Sequence, residues 1–241
     1  MKTYFVVILL FIPFFHVGAQ SQHEKLHIYL IPGQGSDERL FNNLELAEQF
    51  HIYKLKYTLP EEGVSLSSYA YTISQQIDTT HAFALIGVSL GGMLITEMMD
   101  FMHPEKAIII SSAKCRKELP FHYRVQRIIP LHKMVPGWLS KIGAQVLQPI
   151  VEPDRKREKS TFTSMLKAKD PKFYKRSIAM IMPWDRTNYS EEIIHIHGTK
   201  DNTIPIKNVS YDYGITAGSH MMTLTEGMKI SKLLNQILEG Y

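Results

Sequence analysis

The stretch AFALIGVSLGG, residues 82–92, decides how the rest of the chain is read. Residues 82–88 form an apolar run that suits a strand buried on both faces, and residues 90–102 read as a helix. Between them Gly87-Val88-Ser89-Leu90-Gly91 fits the pattern G-x-S-x-G, with Gly92 behind it. A serine on so sharp a strand-to-helix turn needs small neighbours, which Gly87 and Gly91 supply, while Gly92 lets the helix pack closely on the strand. Ser89 then sits near a helix N-terminus, whose positive dipole end favours a developing oxyanion. The five-residue pattern is common by chance, and its meaning depends on what surrounds it.

Upstream, LHIYLIP (26–32) reads as a buried strand closed by Pro32 and the glycines of PGQGSD. A helix is expected from Asp37 or Glu38, with Leu40, Phe41, Leu44, Leu46 and Ala47 as its apolar positions. HIYKLKY (51–57) alternates as a strand does, and residues 65–77 place Leu66, Tyr69, Ala70, Ile73 and Ile77 at helical spacing behind Ser65 as N-cap. Downstream, KAIIISS (106–112), IIHIHG (193–198) and NVSYDYGI (208–215) read as strands, and a last helix covers roughly 222–238. Short apolar strands alternating with helices imply an α/β architecture with a parallel sheet covered on both faces.

The rhythm fails between Ser112 and about residue 189. This segment holds Pro120, Pro130, Pro136, Pro149, Pro153 and Pro171, with short amphipathic pieces between them. A structureless loop of that length is rare in a compact domain, so a helical cap inserted between two strands is expected over 114–188. Its apolar residues Trp138, Leu139, Ile142 and Phe162 are expected to turn inward. Residues 114–188 carry seventeen Lys/Arg against six Asp/Glu, whereas the remainder carries ten against seventeen. The cap is therefore read as a basic, solvated surface.

The chain opens MKTYFVVILLFIPFFHVGAQ, with Lys2, an apolar stretch from Tyr4 to Phe15, and small residues at Val17-Gly18-Ala19. That is the form of a cleaved secretory signal peptide over 1–19, and it implies export to the periplasm or beyond. The apolar run is short for a membrane span, so no span is expected after cleavage. The core then comprises residues 20–113 and 189–241. Cys115 is the only cysteine, which excludes an internal disulfide. His195 and His197 alternate on one strand and face the same side, an incomplete set for a metal, so neither a metal nor another cofactor is expected. The sequence GQGSDE lacks the third glycine of a dinucleotide-binding fingerprint.

A serine hydroxyl needs a base, usually a histidine oriented by a carboxylate. Asp201 lies in HGTKDNTIP after one buried strand, and His220 lies in AGSH after the next. Both fall past the C-terminal ends of strands, where sites on open α/β sheets form. Asp185 belongs to the insert and Asp212 lies within an expected strand, so neither competes well for the role of acid. The oxyanion donors are expected to be the backbone N–H of Leu90 and one from the PGQGSD loop, most simply Gln34.

On PGQGSD, GVSLGG, HGTKDNTIP and AGSH, in that order, residues 27–239 resemble the α/β-hydrolase fold superfamily in its compact form with a helical cap. The resemblance implies Ser89 as nucleophile, Asp201 as acid and His220 as base, with Gln34 and Leu90 as oxyanion donors. Pro32 stands where many relatives have histidine. Only one short strand precedes the PGQG loop, so the usual first two strands are expected to be missing and six parallel strands to remain. Three functions stay open: ester hydrolysis through an acyl-enzyme, another acyl or C–C bond reaction on the same triad, and ligand binding without chemistry. The expected partner is a small-molecule ester or other acyl compound, not nucleic acid.

Overall fold

The structure is a computed structural model that describes residues 25–125, 138–139, 142 and 155–241. The expected signal peptide and part of the expected cap lie outside the described residues. Among the described residues, no helix is long and apolar enough to cross a membrane.

Six parallel strands form one sheet in the order β2-β1-β3-β4-β5-β6. They are β1 (His27–Ile31), β2 (His51–Lys54), β3 (Phe83–Val88), β4 (Lys106–Ile110), β5 (Ile193–Gly198) and β6 (Tyr213–Ile215). Alternation along the strands splits the core in two. Tyr29, Ile31, Leu85 and Ile109 meet α1 (Leu66–Ser74) and α2 (Leu90–Met98) on one face. Ile28, Leu30, Ile86 and Ile110 meet Leu40, Phe41, Ile230 and Leu234 on the other. Because both faces are covered, β1, β3 and the C-terminal part of β4 are buried without a polar side, as their continuous apolar runs require.

The insert adds α3 (Phe121–Val125), α4 (Lys159–Ala168) and α5 (Pro171–Ile181) among the described residues. Asp170 caps α5 by accepting from the Lys172 N–H, and Pro171 occupies its first turn, where a missing N–H costs nothing. Arg116 ties the start of the insert to its end, donating to the carbonyls of Met182 at 2.7 Å and Trp184 at 2.5 Å. The Arg186 guanidinium spans Glu97 and Asp100 at the end of α2. Lys156, Lys159, Lys167, Lys172 and Lys175 are exposed, whereas Lys114 is buried with its amine 4.6 Å from the Tyr189 ring centroid. Phe162 is buried as expected, but Trp138, Leu139 and Ile142 are exposed rather than turned inward.

Long-range contacts override the sequence pattern in three places. The helix expected from Asp37 shrinks to one 3-10 turn, Glu38–Phe41. Beyond it, Asn43 donates to the Leu224 carbonyl, while the N–H groups of Glu45 and Ala47 donate to Ser231 and Asn235. Those bonds replace the helical ladder. The strand expected over 208–215 keeps only its last three residues, because the Asp212 carboxylate, not a ladder carbonyl, accepts the His195 N–H at 2.7 Å. The last helix divides into α6 (Met222–Thr225) and α7 (Gly227–Ile237). At the break Gly227 lies so close to Asn43 that a β-carbon would come within 2.2 Å of its carbonyl oxygen.

Candidate active site

Ser89 joins β3 to α2 with φ 53° and ψ −116°, in a region that non-glycine residues rarely occupy. Strain of this kind costs on the order of 1–3 kcal/mol and persists only where the surroundings enforce it. Here they do. Ser89 N–H donates to the Ile110 carbonyl at 3.0 Å, and its own carbonyl accepts from Ser112 Oγ at 2.7 Å. A β-carbon at Gly91 would lie 2.2 Å from the Ile31 carbonyl oxygen, so only glycine lets the elbow press against β1.

Asp201 and His220 arrive from the next two strands. Asp201 lies beyond β5 and His220 beyond β6, and both are buried. The loops interlock, since Lys200 N–H donates to the Gly218 carbonyl at 2.8 Å. One Asp201 oxygen accepts the N–H groups of Thr203 and Ile204, each at 2.8 Å. The other is 2.8 Å from His220 Nδ1. A carboxylate only accepts, so Nδ1 carries the proton and Nε2 faces Ser89 Oγ as acceptor at 2.9 Å. Burial pushes the Asp201 carboxyl upward, but His220, His197 and the Ile204 amide outweigh it and hold the group below the ordinary carboxylate range. Asp185, by contrast, is exposed and lies outside this pocket.

Ser89 and His220 open onto a cavity of about 200 Å³ whose wall is largely apolar, with Met93, Leu119, Phe162 and Ile181 among its residues. Gln34 and Leu90 border it as well. Leu90 opens α2, so its N–H has no carbonyl within the helix to serve. The loop bearing Gln34 is braced on three sides. Gly33 N–H donates to Ser36 Oγ at 2.9 Å, Tyr57 donates to the Pro32 carbonyl at 2.5 Å, and the Gln34 amide donates to Ser177 Oγ on α5 at 2.7 Å. No pattern in the sequence singles out Ser177, because its role depends on how the insert folds back over the loop.

Behind Asp201 stands a second buried group, His195 and His197 of β5. His197 Nε2 lies 2.8 Å from the Ile204 carbonyl and 3.5 Å from Asp201, so it donates. His197 Nδ1 and His195 Nε2 are 3.0 Å apart, and His195 Nδ1 is 3.0 Å from the Ser210 carbonyl. Two neutral rings supply two protons to these three contacts. A third would make the pair cationic, and burial opposes it, pushing His197 down and His195 to about 3.

His27, Asp78 and His81 gather at the other end of the sheet, with candidate ligand atoms within 4.8 Å of one another. The rings of His27 and His81 stack with centroids 4.5 Å apart and planes 22° apart. Stacked rings direct their nitrogen lone pairs side by side, not to one point, so the trio lacks the convergence a metal needs.

No protein-family model matches the sequence, and no curated protein matches it. Solved structures do resemble the fold. A thermophilic esterase from Thermogutta terrifontis, with malate bound, aligns at TM-score 0.68 and 13% identity over 88% of this chain and 89% of that one. The enol-lactonase from Burkholderia xenovorans LB400 aligns at 0.68 and 14% identity, over 91% and 93%. An esterase from Exiguobacterium antarcticum aligns at 0.63 and 15% identity, over 90% and 93%. Together with the six-stranded parallel sheet, these likenesses establish that the chain has the α/β-hydrolase fold.

Proposed function

We propose that this protein is a serine hydrolase that cleaves small carboxylic esters through an acyl-enzyme. The observation that carries the reading is the unbroken line from Ser89 Oγ to His220 (2.9 Å) to Asp201 (2.8 Å), built on a strained elbow and facing an apolar cavity. His220 Nε2 takes the Ser89 proton as Oγ bonds to the ester carbonyl carbon. The N–H groups of Leu90 and Gln34 stabilise the oxyanion. As the C–O bond breaks, His220 returns the proton to the leaving alcohol. A water molecule, deprotonated by His220, then attacks the acyl-enzyme, and the acid leaves as Ser89 regains its proton. Asp201 holds the imidazole in the tautomer that both steps need.

The esterases and the lactonase among the structural neighbours support a hydrolase reading by analogy. The size of the cavity favours a small acyl group. We read residues 114–188 as the cap that shapes it, and residues 1–19 as an export signal, which the mass of the mature secreted chain would test. Purified protein should hydrolyse para-nitrophenyl esters with a preference for short acyl chains. Absence of turnover across the whole chain-length series would count against the reading.

A further inference from the structure

The pocket wall holds a polar atom that this chemistry does not use. Tyr174 on α5 is 5% exposed, and its hydroxyl is buried without a hydrogen-bond partner. A β-carbon at Gly35 would lie 2.8 Å from that oxygen and 3.8 Å from Leu166 Cδ1. The hydroxyl therefore sits where Gly35, Leu166 and Tyr174 meet, and all three line the pocket that holds Ser89 and His220. Any side chain at Gly35 would evict it.

The phenol is held there by its helix. Phe173 stacks on Tyr57 at 5.3 Å, and Ser177 receives the Gln34 amide while donating to the Tyr174 carbonyl. Burial pushes the Tyr174 hydroxyl well above the ordinary tyrosine range, so it stays protonated and can donate. Buried hydroxyls nearly always have partners, because leaving one unpaired is costly. Among the described residues it has no acceptor, so an oxygen of a ligand in the pocket would supply one.

We propose that Tyr174 is a specificity-determining donor for a second oxygen of the substrate, an ether, carbonyl or hydroxyl oxygen close to the scissile carbonyl. The preferred substrate is then a small oxygenated ester, not a plain alkyl ester. This inference rests on the hydrolase reading above. Gly35 follows Gln34 directly, so the two donors belong to one corner of the pocket: the Gln34 N–H faces the carbonyl being attacked, and Tyr174 faces an oxygen a few bonds away.

The test compares wild type with Tyr174→Phe on two isosteric pairs. One pair varies the acyl group, para-nitrophenyl methoxyacetate against butanoate; the other varies the alcohol, methoxyethyl against butyl butanoate. Comparing kcat/KM ratios between the two proteins cancels the intrinsic reactivity of each ester. The oxygen-to-hydrocarbon ratio should fall about tenfold or more in Tyr174→Phe for at least one pair, the scale of one lost neutral hydrogen bond. Unchanged ratios in both pairs overturn the proposal, as does an equal loss on both members of a pair, which would make the phenol serve the common carbonyl. Thermal unfolding of Tyr174→Phe, expected at or above the wild-type Tm, separates misfolding from lost recognition. A wild type that neither turns over any of the four esters nor takes a fluorophosphonate at Ser89 defeats the hydrolase reading, and this proposal with it. Labelling and turnover without any role for Tyr174 in the ratio defeats this proposal alone.

Discussion

At the C-terminal ends of the strands Ser89, Asp201 and His220 meet in a line; at the N-terminal ends His27, His51, His81 and Asp78 crowd together. Residue types alone would not separate the two groups. At the C-terminal end, each side chain comes from a loop fixed by a neighbouring loop, and the Asp201 carboxylate is buried with three of its contacts supplied by Thr203, Ile204 and His220. At the other, the Asp78 side chain is about half exposed and is held to about 2 by Thr80 first and His81 second, and His27 and His81 stack on one another. Orientation and burial set the two groups apart.

Ser89→Ala should break this contrast most severely, lowering kcat for ester hydrolysis by about 10³–10⁶ with the fold intact, since members of such a set act as a unit. Steady-state turnover beside a circular dichroism spectrum checks both halves of that expectation. Asp201→Asn should cost about 10²–10⁴, because the imidazole loses the partner that fixes its tautomer. Its stability should also change shape with pH. The folded Asp201 carboxylate keeps its charge below the unfolded value near 3.9, so its contribution is complete above that pH and is lost as pH falls through the folded value. Denaturant midpoints at descending pH should therefore drop less steeply in the Asn variant.

The His195–His197 pair gives a smaller effect with a definite sign. Unfolded, His195 binds a proton near pH 6.5; folded, burial defers that to about 3. Between those values the unfolded chain holds more protons, so wild-type stability falls as pH drops from about 6.5 toward 3. His195→Gln should be less stable than wild type at pH 7, and the gap should narrow at pH 4.5. A gap that widens instead means the pair has taken its third proton and carries charge. At the small end, Asp78→Asn and His81→Gln should change kcat/KM by less than about twofold, because the cluster lies at the opposite end of the strands from the pocket.

The C-terminal end of the sheet was legible because its signal is local and repeated: a buried run, a tight turn of small residues, and an acid and a histidine after successive strands. Ser89, Asp201 and His220 come together on those grounds alone. What escaped depends on partners distant in sequence. Asn43, Glu45 and Ala47 leave a helical pattern because Leu224, Ser231 and Asn235 capture their polar groups. Tyr174 and Ser177 lie three residues apart on α5, and only its position over the Gly33–Ser36 turn gives them a role. Trp138, Leu139 and Ile142 were expected inside on hydrophobicity, which does not say which face of an insert meets the core.

The most direct measurement is the mass and position of the adduct formed with a fluorophosphonate, which reacts with an activated serine whatever ester the pocket prefers. The account predicts one adduct per chain, mapped to Ser89 and formed far more slowly in Asp201→Asn. An unlabelled chain, or an adduct on another residue while Ser89 stays free, would contradict it.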